Sequence, residues 1–124
     1  MPTIGHGAAA AEVRAQFDAY EAALLANDVE ALNGFFWSSP RAVRYGIAET
    51  LYGAEAIAAY RRSVPPGAWE RELTRVEVLT FGDDMAVVAA EWRSEKQPGG
   101  RQTQTWVRLP EGWRVVCGHV SLVP

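Results

Sequence analysis

Residues 71–109 read RELTRVEVLTFGDDMAVVAAEWRSEKQPGGRQTQTWVRL, and apolar and polar side chains alternate along most of this stretch. A period of two is typical of strands that bury one face. Short turn sequences interrupt the alternation at residues 82–84 (GDD) and 97–100 (QPGG), and turns of this length join antiparallel neighbours. A third turn at residues 110–111 precedes a further alternating run. We therefore predict four consecutive strands at residues 71–81, 85–95, 101–109 and 112–123.

The chain before residue 65 has a helical period instead. Apolar and aromatic side chains recur at helical spacing in its first segment: Val13, Phe17, Tyr20 and Leu24. Asp28 follows this segment and is placed to cap a second, shorter helix. The predicted elements are helices at residues 8–26, 29–36 and 54–63 and short extended segments at 42–45 and 51–52.

The size and composition fit one folding unit. With 124 residues, 48% of them hydrophobic and 22% charged, we expect a single globular domain over residues 1–124. Helices followed by a meander of strands predict an α+β fold, in which a cone-shaped, curved antiparallel sheet wraps around the long N-terminal helix and two shorter helices. A pocket is expected at the wide end, lined by polar residues that occupy apolar positions of the pattern.

Charge and cysteine content exclude several classes of partner. Twelve basic and fifteen acidic side chains give a net charge of -3, which argues against nucleic acid and anionic membrane surfaces. The first residues have neither the charged nor the apolar region of a signal peptide, and Cys117 is the only cysteine, so we expect a cytoplasmic protein. No metal-binding or nucleotide-binding motif occurs, so we expect no metal and no cofactor.

Three polar side chains stand where the pattern calls for apolar ones. Tyr20 lies on the apolar stripe of the first helix and is either a core tyrosine or a functional phenol. Arg44, in the short strand at residues 43–46 (VRYG), faces either solvent or the inside of the cone. Arg61 either reaches the surface at the end of the third helix or binds an anion.

The last two strands add further candidates. Counted by simple alternation, His119 shares a face with Trp113, Val115 and Cys117, and is either a core histidine or a site residue. Cys117 is expected to be buried, and Gln102 and Gln104 share a face with Trp106. The alternation leaves open which face of the sheet lines the pocket.

Four segments together resemble the AtzH-like family, within the nuclear transport factor two-like (SnoaL-like) superfamily. They are residues 27–32 (NDVEAL), residues 43–46 (VRYG) with Glu49 and residues 51–53 (LYG), residues 100–106 (GRQTQTW), and residues 112–116 (GWRVV) leading into 119–122 (HVSL). The resemblance spans residues 13–122. It implies the cone-shaped fold and a decarboxylating amidohydrolase that acts on a small carboxylated urea or ureide in nitrogen scavenging, such as cyanuric acid or purine breakdown.

The resemblance also implies roles for particular residues. It makes Tyr20 and Arg44 the catalytic pair, and we expect four further side chains to contact a small anionic substrate: Arg61, His119, Gln104 and Tyr45. A guanidinium can hold a carboxylate and stabilise negative charge that grows on oxygen, and a phenol can exchange a proton with the amide nitrogen or with water.

A second class of function stays open beside the enzyme. The protein could be a non-catalytic anion-binding or accessory dimer that works with an amidase. We expect a homodimer through the exposed face of the sheet, for which Trp92, Trp106 and Trp113 are candidate anchors. A cyclase or isomerase is less well supported, because no aspartate occupies a strand position that would make it a buried base.

Overall fold

The protein's structure, a computed structural model, describes residues 7–124. The helices are α1 (Ala8–Ala26), α2 (Val29–Phe35) and α3 (Ala54–Ser63), and two short strands, β1 (Val43–Tyr45) and β2 (Thr50–Tyr52), lie between α2 and α3. Four long strands follow: β3 (Glu72–Phe81), β4 (Met85–Arg93), β5 (Gly100–Leu109) and β6 (Gly112–Leu122). The predicted α+β class is confirmed, and the predicted ends of the elements lie within two residues of these bounds.

Local sequence accounts for the ends of the helices. α1 ends at Asn27, which has a left-handed φ of 52° and whose N–H bonds to the carbonyl of Leu24. The predicted cap of α2 is confirmed, because the Asp28 carboxylate accepts a hydrogen bond of 3.2 Å from the N–H of Ala31. Gly53, with a φ of 90°, supplies the positive backbone angle from which α3 begins.

The strands form one curved, unclosed sheet in the order β2-β1-β6-β5-β4-β3. The meander from β3 to β6 is antiparallel, as predicted. The sheet is mixed rather than wholly antiparallel, because β1 pairs in parallel with β6. This pairing joins Val43 to Cys117, which are far apart in sequence, so no local turn sequence could have predicted it.

A β-bulge in β6 changes which residues face the helices. Thr105 pairs with Cys117 and the next residue of β5, Trp106, pairs with Val115, so Val116 has no partner in this ladder. Trp113 and Val115 face inward before the bulge, and the alternation reverses after it. The predicted burial of Cys117 and the predicted face of His119 are therefore wrong: both side chains are exposed on the opposite face.

The helices cover one face of the sheet, and the core lies between them. α1 packs on β3 and β4, α2 on β6, and α3 on β1 and β2. The predicted stripe of α1 is buried, with Phe17 and Val13 fully so. The three strand tryptophans are also buried, at 8% exposure or less, so they belong to the core and are not available as dimer anchors: Trp92, Trp106 and Trp113.

Candidate functional site

Tyr20 lies at the centre of the core, on the face of α1 that meets the sheet. It is 4% exposed and touches three aromatic rings edge-on or tilted, at centroid distances of 5.8–6.5 Å: Phe35, Phe36 and Trp106. Its hydroxyl accepts a short hydrogen bond from Nη2 of Arg61. A phenol that accepts in this way keeps its own proton free to donate elsewhere.

Arg61 is a buried cation without an acidic partner among residues 7–124. It lies in the last turn of α3 and is 1% exposed. Aromatic rings surround its guanidinium carbon at 5.5–5.9 Å: Tyr20, Phe36 and Trp69. Its Nε and Nη1 have no hydrogen-bond partner in the part of the chain that the structure describes. Unpaired buried N–H groups of a charged side chain are rare, and they indicate a place where an anion or water binds.

Arg44 also points into the protein, which settles the alternative that the sequence left open. It is 4% exposed, and its Nη1 donates to Glu49 at 3.2 Å. The guanidinium lies 5.0 Å from the ring centre of Tyr60 and 5.9 Å from that of Trp69. Burial raises the pKa of Tyr60, and Glu49 adds to the rise, while the two nearby guanidinium groups oppose it.

A small cavity, called the chamber below, lies beside Tyr20 and Arg44. Its volume is about 10 Å³, room for one water molecule, and its walls include Tyr20, Phe36, Arg44, Gln104 and Gly118. Arg61 is not part of this wall, but it contacts two of the wall residues, Tyr20 and Phe36. Oε1 of Gln104 accepts from the indole N–H of Trp106 at 3.2 Å, so the amide N–H₂ of Gln104 remains to donate. The polar groups around the chamber are therefore mainly donors, which suits an anionic ligand.

The side chains of Tyr45 and His119, which were expected to contact the substrate, do not point into the chamber. Tyr45 alternates with the buried Arg44 and lies on the outer face of the sheet, where its hydroxyl bonds to that of Tyr52 at 3.0 Å. That hydrogen bond raises the pKa of Tyr45. His119 borders the chamber with its chain neighbours, but its side chain is exposed and its imidazole lies edge-on to Tyr45, at 5.6 Å. The structure thus brings Tyr20, Arg44, Arg61 and Gln104 together, without these two side chains.

A second buried polar cluster adjoins the chamber, and the sequence analysis missed its acidic member. Glu21 is 6% exposed and accepts from Nη2 of Arg71 at 2.7 Å and from the amide of Gln102 at 2.9 Å. The same Nη2 donates to the Gln102 carbonyl at 2.8 Å. Glu21 follows Phe17 by four residues, so helical spacing places it beside the apolar stripe, and that signal could have found it.

A larger cavity of about 740 Å³ lies on the other side of this cluster, at the open end of the sheet. Its walls include Trp69, Arg71, Trp92 and Leu122, and Val120 lines both this cavity and the chamber. Trp69 was not singled out from the sequence either, because it lies in an irregular segment with no period.

Within residues 7–124, no three His, Cys, Asp or Glu side chains are grouped closely enough to hold a metal ion. None of the described helices has the length and apolar character that a membrane crossing needs.

The fold is that of a known class. A protein of unknown function from Pseudomonas putida with the nuclear transport factor two-like fold superposes with a TM-score of 0.77 at 20% identity, over 91% of this chain and 85% of that one. This similarity shows the fold. None of the curated proteins compared with the chain matches it.

Two solved structures are much more similar. A cystatin-like fold protein from Burkholderia xenovorans is 47% identical, with a TM-score of 0.93 over 99% of this chain and 98% of its own. A DUF3225-family protein of unknown function from Pectobacterium atrosepticum is 43% identical, with a TM-score of 0.94 over 98% and 95%. The AtzH-like family model matches residues 2–124, and the chain belongs to that family.

Proposed function

We propose that this protein is a decarboxylating amidohydrolase that acts on a small carboxylated urea or ureide in nitrogen scavenging. The observation that carries the proposal is the small, donor-rich chamber: Tyr20 and Arg44 line it, and Arg61, which has no acidic partner among residues 7–124, binds to the Tyr20 hydroxyl. Membership of the AtzH-like family supports the same reading.

The charge of the site favours a carboxylate substrate. Two buried guanidinium groups have one carboxylate beside them, that of the partly exposed Glu49, which bonds to Arg44 at 3.2 Å and leaves Arg61 without an acidic partner among the described residues. Glu21, the buried acid, is already bound to Arg71. A bound carboxylate would neutralise Arg61 and satisfy its Nε and Nη1, and guanidinium binds carboxylate through such parallel N–H bonds.

The roles of the side chains follow from their bonds. Arg44 orients the urea and stabilises negative charge on its oxygen as water adds to the carbonyl carbon. Arg61 holds the Tyr20 oxygen as an acceptor, so the phenol proton is directed to the urea nitrogen when the C–N bond breaks. The phenolate regains its proton from the added water. The bond that breaks joins the urea carbon to the carboxylated nitrogen, so N-carboxyurea gives two carbamates. Each carbamate takes up a proton from water on its nitrogen as it loses carbon dioxide, and ammonia remains.

Turnover of N-carboxyurea by single variants tests this proposal. Tyr20→Phe and Arg44→Ala should each lower kcat/KM by about 100-fold or more, the usual loss for an acid or an oxyanion donor. Tyr52→Phe and Arg41→Ala are matched controls, because both residues are exposed, and they should keep wild-type rates. Wild-type turnover in both site variants, or none in the wild type, would refute the assignment.

A non-catalytic accessory dimer is the second candidate, and the outer face of the sheet favours it. One row of paired residues crosses this face without a charged side chain: Leu79, Val87, Thr105, Cys117, Val43 and Tyr52. Leu79 is 44% exposed, and Phe81 and Met85 beside the row are exposed to a similar extent. Such a patch suits a second copy of the chain, in either functional reading.

Light scattering in solution tests the homodimer. We expect a dimer for the wild type and a monomer for Val87→Glu, which places a charge in the middle of the row. Ala19→Glu, an exposed change on α1, should leave the dimer intact. A monomeric wild type would contradict the homodimer, and separate elution from an amidase at micromolar concentrations would contradict the accessory role.

The lone cysteine, Cys117, is compatible with the proposed cytoplasmic location.

A further inference from the structure

The chamber is too small for the ligand that its chemistry suits. It has room for about one water molecule, whereas a carboxylated urea occupies several times the ~30 Å³ that one water takes up in the liquid. Part of the wall must therefore move before such a ligand can reach Arg44 and Arg61. The larger cavity, which adjoins the chamber, has space to receive a displaced side chain.

Trp69 contacts Arg44, which is part of the chamber wall, and also Arg61. Its ring centre is 5.5 Å from the guanidinium carbon of Arg61, 5.9 Å from that of Arg44 and 6.3 Å from the ring of Tyr60. It also forms part of the wall of the larger cavity. The side chain is half-buried and packs against the core, and its indole N–H has no hydrogen-bond partner among residues 7–124, so no hydrogen bond of the described residues fixes the ring.

The segment that carries Trp69 is held weakly. Residues 64–71 connect α3 to β3 and include a glycine, Gly67, with a φ of 83°. The backbone hydrogen bonds of this segment are three turn bonds of 3.4 Å, donated by Val64, Ala68 and Glu70. Bonds of this length are at the weak end of the range for N–H donors.

The other residues around Arg61 and between the chamber and the larger cavity are held more firmly than Trp69. Arg71 is fixed by its bonds to Glu21 and Gln102, and Val120 belongs to β6. Phe36, which also contacts Arg61, is 5% exposed in the core. Trp69 is the aromatic neighbour of Arg61 that is both partly exposed and placed on an irregular segment.

We propose that Trp69 is a gate that determines ligand size at this site. The ring moves into the larger cavity, joins it to the chamber and exposes both guanidinium groups to an incoming carboxylate. When the ring returns, it packs over the bound group and excludes larger molecules and water. The inference rests on the proposed function for the identity of the ligand, whereas the movement of Trp69 can be measured without any substrate.

Arginine modification measures the gate directly. Wild-type protein, Trp69→Ala, Trp69→Phe and Trp92→Phe are treated with phenylglyoxal or with the smaller methylglyoxal under single-hit conditions, and modification is resolved by residue with mass spectrometry. Arg62 is the internal reference, since it is exposed and adjacent to Arg61. Trp92→Phe is the matched control, because Trp92 lines the larger cavity but contacts Arg71 rather than Arg61.

The gate predicts a size-dependent change at Arg61. In the wild type, phenylglyoxal should react with Arg61 much more slowly than with Arg62, and methylglyoxal should show a smaller difference. Trp69→Ala should raise the phenylglyoxal rate at Arg61 by about tenfold or more, because no opening step is then required. Trp92→Phe should leave this rate unchanged. Trp69→Phe should give a phenylglyoxal rate at Arg61 between those of the wild type and Trp69→Ala. If Trp69→Ala fails to fold, the comparison of Trp69→Phe with the wild type tests the gate.

Each outcome has a definite meaning. Equal Arg61 rates in the wild type and the Trp69 variants, or a wild-type Arg61 that reacts as fast as Arg62, would overturn the gate. A rise in Trp69→Ala without any turnover of N-carboxyurea by the wild type would support the gate and refute the proposed activity. Normal turnover of N-carboxyurea by the wild type, with the same Arg61 modification rate in Trp69→Ala as in the wild type, would support the proposed activity and refute the gate.

Discussion

Replacing Arg61 by methionine should make the protein more stable and abolish anion binding. The guanidinium is 1% exposed, has no acidic partner among the described residues, and leaves Nε and Nη1 without acceptors. Methionine fills much of the same space, suits a helix and contacts aromatic rings well, so Arg61→Met removes a buried charge without creating a large cavity.

The magnitude follows from opposing contributions. Two unsatisfied N–H groups of Arg61 cost about 1–3 kcal/mol each, and the buried charge adds a further penalty. Against this stand the bond to Tyr20 and three ring contacts at 5.5–5.9 Å, close to the distance limit and each contributing about 0.5 kcal/mol. We expect a net gain of about 1–3 kcal/mol, or roughly 4–10 °C in Tm for a domain of this size.

Thermal unfolding with and without malonate is the assay. Saturating malonate should raise the Tm of the wild type, since ligand at 100 times its Kd contributes about 2.7 kcal/mol, and should leave Arg61→Met unchanged. Arg62→Met is the control, because the neighbouring Arg62 is exposed and its replacement should change stability by less than about 0.5 kcal/mol. A Tm that falls in Arg61→Met, or a malonate effect of equal size in both proteins, would refute the reasoning.

Three further predictions concern stability. Glu21→Ala strands the Arg71 charge in the interior and should cost about 3–5 kcal/mol in urea unfolding, whereas a loss below 1 kcal/mol would show that the pair contributes little. Gly100→Ala should destabilise the protein by about 1–3 kcal/mol, because its Cβ would lie 2.2 Å from the indole ring of Trp92. Gly34→Ala, whose Cβ meets nothing within 4 Å in α2, should stabilise the protein by about 0.5–1 kcal/mol. If Gly34→Ala were the less stable of the two variants, this account of the packing would be contradicted. Tyr60→Phe should reduce the loss of stability above pH 10, measured by urea unfolding across pH 9–12.

The sign of the pH effect follows from the raised pKa of Tyr60. The unfolded chain loses this proton near pH 10 and the folded chain loses it at a higher pH, so the contribution is complete below pH 10 and is lost as the pH rises towards the folded pKa. Between these two pKa values, the free energy of unfolding falls with pH, and Tyr60→Phe should remove part of that slope. The part removed should be less than the ~1.4 kcal/mol per pH unit that one full proton gives, because Tyr60 is partly exposed and water screens its charge. An unchanged slope would contradict the assignment.

The sequence predicted the backbone well and the site in part. Tyr20 was identified because a polar group interrupts an apolar helical stripe, and its burial at 4% follows from that stripe. Arg44 and Arg61 were identified as candidates whose direction stayed open. The helical spacing could have indicated the burial of Glu21, but its partner Arg71 is 50 residues away in the chain, and no local pattern indicates that pairing.

The sequence by itself determined the three helices, the four long strands and the turns between them, because the 2.0 and 3.6 periods, the Asp28 cap and the glycine turns act within a few residues. Only the tertiary structure decided which side chains meet. The parallel pairing of β1 with β6 turns Arg44 inward beside the cations and rings of α3, and the bulge at Val116 moves His119 and Cys117 to the other face. Both features arise from the way one strand pairs with another, so the alternation in any one strand could not specify them.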